Sequence, residues 1–132
     1  METTTATIGI KKENRKAVSE MLCKLLADEH VLYIKTRNAH WNIEGMDFHA
    51  QHVFLEEQYQ KLEGIIDQVA ERIRMLGFYA PGTMQTFLKL THLKESEPEV
   101  HSSEGFYTIL LADHGSIIDF IRKSISDNAE EH

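Results

Sequence analysis

Among residues 40–71 of the chain, two of the histidines and three of the carboxylates are spaced as metal ligands would be. They are His40, His52, Glu56, Asp67 and Glu71. Imidazole nitrogens and carboxylate oxygens suit a hard or borderline transition metal such as iron. These residue types therefore predict a metal site.

The spacing places four of these residues on one face of a helix. His52 and Glu56 are four residues apart, as are Asp67 and Glu71, so the members of each pair share a face. The eleven residues from Glu56 to Asp67 correspond to about 1100° of rotation, which returns nearly to the same face. The four side chains therefore form one stripe if the helix is continuous from about residue 48 to residue 76.

The length of this helix separates the two pairs within one chain. His52 and Asp67 lie about 22 Å apart along a straight helix, too far to share an ion. Two copies packed antiparallel across a two-fold axis would bring the His52 end of one chain to the Asp67 end of the other. We therefore predict a site shared between two chains, with His40 approaching from the end of the preceding helix, before the turn at Gly45.

Apolar periodicity predicts an all-α chain of three long helices and one short helix. We expect residues 1–12 to be a flexible tail and residues 13–132 to form one helical domain. The expected long helices span about 12–39, 48–76 and 103–126, and the short helix spans 83–91. Gly77 should end the second helix, and Ser102 or Ser103 should cap the last one.

Two segments resemble the signatures of Dps proteins, the mini-ferritins named as DNA-binding proteins of starved cells. The first is HWNIEG with His52 and Glu56 after it, and the second is IIDQVAERIRMLGFYA. The resemblance runs from about Val18 to the end of the sequence. It implies a ferritin-like bundle, assembled through two-fold dimers into a hollow dodecamer.

The same resemblance implies a function. Dps proteins oxidise Fe(II) with hydrogen peroxide, or with dioxygen, at mono-iron or di-iron ferroxidase centres between subunits, store the ferric mineral and limit oxidative damage. In the family pattern, two histidines and an acidic residue of one subunit face an Asp and a Glu of its partner. The matching positions here are His40, His52 and Glu56, and then Asp67 and Glu71. Because imidazole binds metal only when neutral, occupancy should fall below about pH 6.

The sequence departs from the family pattern in three places. Glu56 stands where Asp is usual, and Gln51 stands where an aliphatic residue is usual. The family also has a fourth long helix after the one that ends here near Ile125. The sequence ends at His132 without one, so we expect it to be truncated at the C-terminus. An open three-helix face would expose a large apolar patch.

Several neighbouring residues allow more than one interpretation. Trp41 is either an interface anchor or a quencher of one-electron oxidants. Glu63 is either solvated or a guide for iron outside the ligand shell, and Arg72 could pair with a carboxylate across the interface. Among the other histidines, we expect His49 to be a surface group or to lie just outside the ligand shell, and His30 and His114 to be structural.

Charge and cysteine content restrict the location and partners of the chain. Its 14 basic and 21 acidic residues give a net charge of −7. Since DNA affinity depends on the neutralisation of phosphates by basic residues, we expect weak or no DNA binding. The main alternative function is nevertheless a nucleoid-binding protein, and a third hypothesis is a helical scaffold with a structural metal. The single Cys23 suits a reducing cytoplasm, and no apolar run is long enough for a membrane span.

Overall fold

The computed structural model describes the backbone of residues 7–131 and the side chains of residues 7–128. Four helices follow in order, and this part of the chain contains no β-strand: α1 (Lys12–Asn42), α2 (Phe48–Met75), α3 (Met84–Leu90) and α4 (Ser103–Glu131). The prediction of three long helices and one short helix is confirmed.

A tight turn folds α2 back along α1. Gly45 has a φ of 136°, which a side chain would disfavour, and the chain reverses there. At the far end, Gly77 has a φ of 93° and follows the last turn of α2. The guanidinium of Arg15, near the start of α1, donates from Nη1 to the carbonyl of Leu76 at 2.9 Å. The two helices are therefore antiparallel and joined at both ends.

Hydroxyl groups cap the two later helices. The Oγ1 of Thr83 accepts from the main-chain N–H of Thr86 at 3.2 Å at the start of α3. Ser102 Oγ accepts from the N–H of Gly105 at 3.1 Å, so Ser102, the first of the two predicted candidates, caps α4. Position 105 accepts only glycine, because a Cβ there would lie 2.2 Å from the carbonyl oxygen of Val100.

Helix α1 lies at the centre of the fold and contacts the other three helices. It contributes apolar residues to two buried clusters, and it also carries buried charges. Lys35 forms an ion pair with Asp113 of α4, with 2.6 Å between Nζ and Oδ2. Asp28 accepts from the hydroxyl of Thr91 at 2.6 Å and lies 2.7 Å from Nδ1 of His92. These pairs fix α4 and the segment after α3 to α1.

An apolar groove between α2 and α4 is lined by Phe54 and Leu111, and further exposed apolar residues follow along α4. Leu111, Ile118 and Ile125 recur every seven residues along α4 and are 75%, 48% and 61% exposed, while Phe54 of α2 is 45% exposed. These exposed side chains form an apolar face on the part of the chain that the structure describes. Within residues 7–131, none of the helices combines the length and apolar character needed to cross a membrane.

The helix bounds differ from the sequence-based prediction mainly at two ends. Helix α1 continues to Asn42 rather than ending at residue 39, because the N–H of Ile43 still donates to the carbonyl of Ala39 at 3.0 Å. Helix α4 continues to Glu131 rather than residue 126. Of the predicted flexible tail, residues 1–6 lie outside the described residues, and α1 begins at Lys12. His132 also lies outside them.

Candidate metal centre

The rings of His40 and His52 stack against each other where α1 and α2 approach their connecting turn. Their centroids are 3.7 Å apart and their planes differ by 15°. Nδ1 of His40 lies 2.7 Å from the carbonyl oxygen of His52, and Nδ1 of His52 lies 2.7 Å from the carbonyl oxygen of His40. Each histidine is thus oriented by the main chain of the other.

This reciprocal pairing fixes which nitrogen of each ring is free. A carbonyl oxygen only accepts hydrogen bonds, so Nδ1 must be the donor in both rings. In the neutral ring the lone pair then lies on Nε2. Most histidines that bind a metal through one ring nitrogen donate a hydrogen bond from the other nitrogen, which orients the ring. The Nε2 atoms of His40 and His52 are therefore oriented and free to act as metal ligands.

Aromatic side chains surround the two imidazoles. Phe48 stacks on His52 at 4.9 Å, and the ring of Tyr59 meets His40 edge-on at 5.2 Å. His40 is only 6% exposed, and His52 is half-buried. These contacts restrict water around the ring faces and limit rotation of both side chains.

The carboxylate of Glu56 lies one helical turn after His52. Its side chain is half-buried, and the hydroxyl of Tyr59 lies 3.5 Å from its Oε1, a weak hydrogen bond at best. The carboxylate oxygens therefore have capacity to bind a cation.

Asp67 and Glu71 lie farther along the same unbroken helix. Both are exposed. A single chain brings His40 and His52 together but leaves this acidic pair about 22 Å away along α2. Within the described residues, no three His, Cys, Asp or Glu side chains are grouped closely enough to hold a metal ion.

A second cluster adjoins the histidines and was not predicted from the sequence. The guanidinium carbon of Arg37 lies 4.9 Å from the centroid of the Trp41 ring and 4.8 Å from that of Tyr59. Arg37 Nη1 donates to the hydroxyl of Tyr33 at 2.9 Å, and that hydroxyl donates to Glu63 at 2.7 Å. Glu63 is thus hydrogen-bonded, which neither interpretation of it anticipated.

Helical spacing offered a partial signal for this cluster. Tyr33 and Arg37 are four residues apart on α1, Trp41 follows four later, and Tyr59 and Glu63 are four apart on α2. The pairing of the two sets depends on how α1 crosses α2, which spacing alone does not give. Of the remaining histidines, His49 is exposed, as predicted, and His30 stacks on Phe87 at 4.4 Å, where burial lowers the pKa of its ring.

Comparison with known proteins decides the family. The family model for the ferritin-like domain matches residues 19–132. A DNA protection during starvation protein of Helicobacter pylori is 35% identical over 112 residues, covering 85% of this chain and 77% of that protein. The chain belongs to the Dps family of ferritin-like proteins.

Solved Dps structures agree with this assignment. DpsC from Streptomyces coelicolor superposes with a TM-score of 0.91 over 98% of this chain and 75% of that chain; at 23% identity, this match supports the fold alone. A Dps protein of Vibrio cholerae, described as a member of a superfamily of ferritin-like diiron-carboxylate proteins, has a TM-score of 0.72 and 26% identity. That match covers 99% of this chain and 84% of the Vibrio chain.

Proposed function

We propose that this Dps-family chain oxidises Fe(II) with hydrogen peroxide and stores the ferric product in a homo-oligomer, a dodecamer built from two-fold dimers. Family membership supports the broader role in iron storage and protection. The observation that carries the finer proposal is the reciprocal pairing of His40 and His52, which leaves the Nε2 lone pair of both rings free to bind a metal ion. We also propose a cytoplasmic location, consistent with the single half-buried Cys23.

Iron is the substrate of this reaction, and the chain provides its ligands. Two neutral imidazoles and the carboxylate of Glu56 suit Fe(II). Loss of an electron raises the charge of the ion, and carboxylates stabilise that higher charge more strongly than neutral donors do. Phe48 and Tyr59 hold the rings so that the nitrogen donors do not have to reorganise when iron binds.

We propose that a partner chain completes the site with its own Asp67 and Glu71. The length of α2 supports this proposal, because one continuous helix keeps His52 and Asp67 about 22 Å apart. An antiparallel partner helix related by a two-fold axis would place its acidic pair beside His52, and the same operation would create a second identical site. Exposure of both acidic side chains in the single chain is consistent with this role.

The direct test is an anaerobic Fe(II) titration followed by peroxide, with ferric absorbance recorded over time. His52→Ala should slow the oxidation strongly. His114→Ala is the control, since His114 is an exposed histidine on a different helix, α4. Equal rates for wild-type protein and His52→Ala, with the assembly intact, would contradict the proposal.

A complementation experiment tests the two-chain site. His52→Ala and Asp67→Asn should each be inactive as homo-oligomers. When the two variants are co-expressed, a mixed dimer has one doubly defective site and one site with every ligand, so activity should return in part. A site contained within one chain would stay broken in every mixture, and absence of recovery in verified mixed dimers would reject the shared site.

A further inference from the structure

Tyr33 lies at the outer end of a series of aromatic contacts that begins at the histidine pair. Tyr59 meets His40 edge-on with 5.2 Å between centroids. Tyr33 in turn meets Tyr59 edge-on at 6.0 Å, with an angle of 83° between the planes. The contacts thus connect the nitrogen donors to Tyr33 without a gap.

The hydroxyl of Tyr33 has the partners that a reversible one-electron donor needs. It donates to Glu63 Oε1 at 2.7 Å and accepts from Arg37 Nη1 at 2.9 Å. A phenol that loses an electron becomes strongly acidic, and a carboxylate already in hydrogen-bond contact can take the proton. The bond from Arg37 would remain on the resulting phenoxyl oxygen. Burial, and then the hydrogen bond to Glu63, raise the pKa of Tyr33, so the neutral phenol persists until it is oxidised.

The neighbouring aromatic residues are less suited to this role. The guanidinium carbon of Arg37 lies 4.9 Å from the centroid of Trp41 and 4.8 Å from that of Tyr59, and its Nη1 donates a hydrogen bond to the Tyr33 hydroxyl. Its positive charge therefore acts on all three rings and does not distinguish them, whereas a proton acceptor does. The hydroxyl of Tyr59 is 3.5 Å from Glu56, too far for ready proton transfer. Only Tyr33 among these three rings has a carboxylate in short contact.

We propose that Tyr33 donates one electron to the iron site when hydrogen peroxide meets a site that holds a single Fe(II). This inference rests on the proposed ferroxidase function. Reduction of one peroxide to two waters takes two electrons and two protons. Fe(II) supplies one electron, Tyr33 supplies the other through Tyr59, and the two protons come from solvent. The phenolic proton of Tyr33 passes to Glu63, leaving a neutral tyrosyl radical, so no hydroxyl radical is released.

Freeze-quench EPR of the assembled protein tests this proposal. Protein loaded anaerobically with less than one Fe(II) per site would be mixed with peroxide and frozen, and ferric absorbance would be recorded on the same mixture. Wild-type protein should give a tyrosyl signal. Tyr33→Phe keeps the ring and removes only the hydroxyl, so it should lose most of that signal, at least about fivefold, and release more spin-trapped hydroxyl radical.

Three further variants make the result specific. Glu63→Gln removes the proton acceptor and should reduce the radical yield. Tyr79→Phe, at an exposed tyrosine outside the cluster, and Trp41→Phe should both keep the signal. A wild-type signal in Tyr33→Phe, a tryptophan radical, or ferric product without any radical would overturn the role of Tyr33 while leaving the ferroxidase function intact. Absence of ferric product in wild-type protein would reject both.

Discussion

His40 and His52 each accept, at their main-chain carbonyl, a hydrogen bond from the ring of the other. The two rings are therefore a structural unit as well as a pair of donors. Replacement of one residue by alanine removes a nitrogen and the stacking partner of the other ring, while the main-chain carbonyl that orients that ring remains.

We predict from this relationship that His52→Ala lowers the rate of peroxide-driven Fe(II) oxidation more than Glu56→Ala does. We expect a loss of at least about tenfold for His52→Ala, since removal of groups that merely orient ligands already costs that much. Glu56→Ala leaves both histidines paired. Stopped-flow ferric absorbance, with assembly checked by size-exclusion chromatography, measures both rates. A clearly larger loss in Glu56→Ala would reverse the ranking, and equal losses would show that the residues act as a unit.

We predict negligible binding of duplex DNA near neutral pH at physiological salt. The net charge of −7 opposes contact with phosphates, and affinity for DNA depends on neutralising them. A gel-retention assay with about 1 µM protein checks this, because about 1 µM is the lowest dissociation constant typical of non-specific DNA binding. Retention at ordinary salt would contradict the prediction, whereas retention restricted to very low salt would not.

We predict that Lys35→Met destabilises the fold by about 3–5 kcal/mol, because it leaves the buried carboxylate of Asp113 without its cation. The double variant Lys35→Met/Asp113→Leu should recover most of this loss. Urea unfolding at fixed protein concentration measures the change. Lys16→Met is the control: its pair with Glu20 is exposed at 3.9 Å and should contribute less than about 1 kcal/mol. A similar small effect at Lys35 would show that its ion pair is not important for stability.

We predict that stability falls as the pH rises from about 4.5 to about 7 because of Glu29. Burial, and then the charge of Asp28, raise the pKa of Glu29 from 4.5 to about 7. Over this range the unfolded chain releases the proton before the folded chain does, so the free energy of unfolding decreases with pH. Glu29→Gln should therefore be more stable than wild type at pH 8, by on the order of 1–3 kcal/mol, and the advantage should shrink towards pH 4.5.

Urea unfolding of wild type and Glu29→Gln at both pH values checks the last prediction. Glu57→Gln, at an exposed glutamate, is the control and should show no such dependence. An advantage of Glu29→Gln that is the same at both pH values would contradict the titration of Glu29 as its cause.

The helices were predictable because local signals mark their ends. Gly45 and Gly77 were recognised as a turn and a stop from residue type alone, and Ser102 was one of two candidate caps; each has that role. The end of α1 was placed three residues too early, since the N–H of Ile43 continues the helical pattern where composition indicates a turn. Composition does not report such a continuing hydrogen bond.

The site was predictable only as far as one helix determines it. The stripe on α2 followed from spacing, and α2 is unbroken between His52 and Glu71. The stacking of His40 on His52 and the bond from Tyr33 to Glu63 depend on the separation and crossing of two helices. Side-chain packing between helices sets those quantities, and the pattern within either helix does not determine them.

The turn at Gly45 has a consequence for the order of events in a cell. One hairpin, α1 and α2, contains both nitrogen donors, so they come together as soon as that hairpin folds. If the remaining oxygen donors come from a partner, a newly made subunit has only half of a reactive centre. Dimerisation would then complete the reactive centre, so that a lone subunit would not oxidise iron.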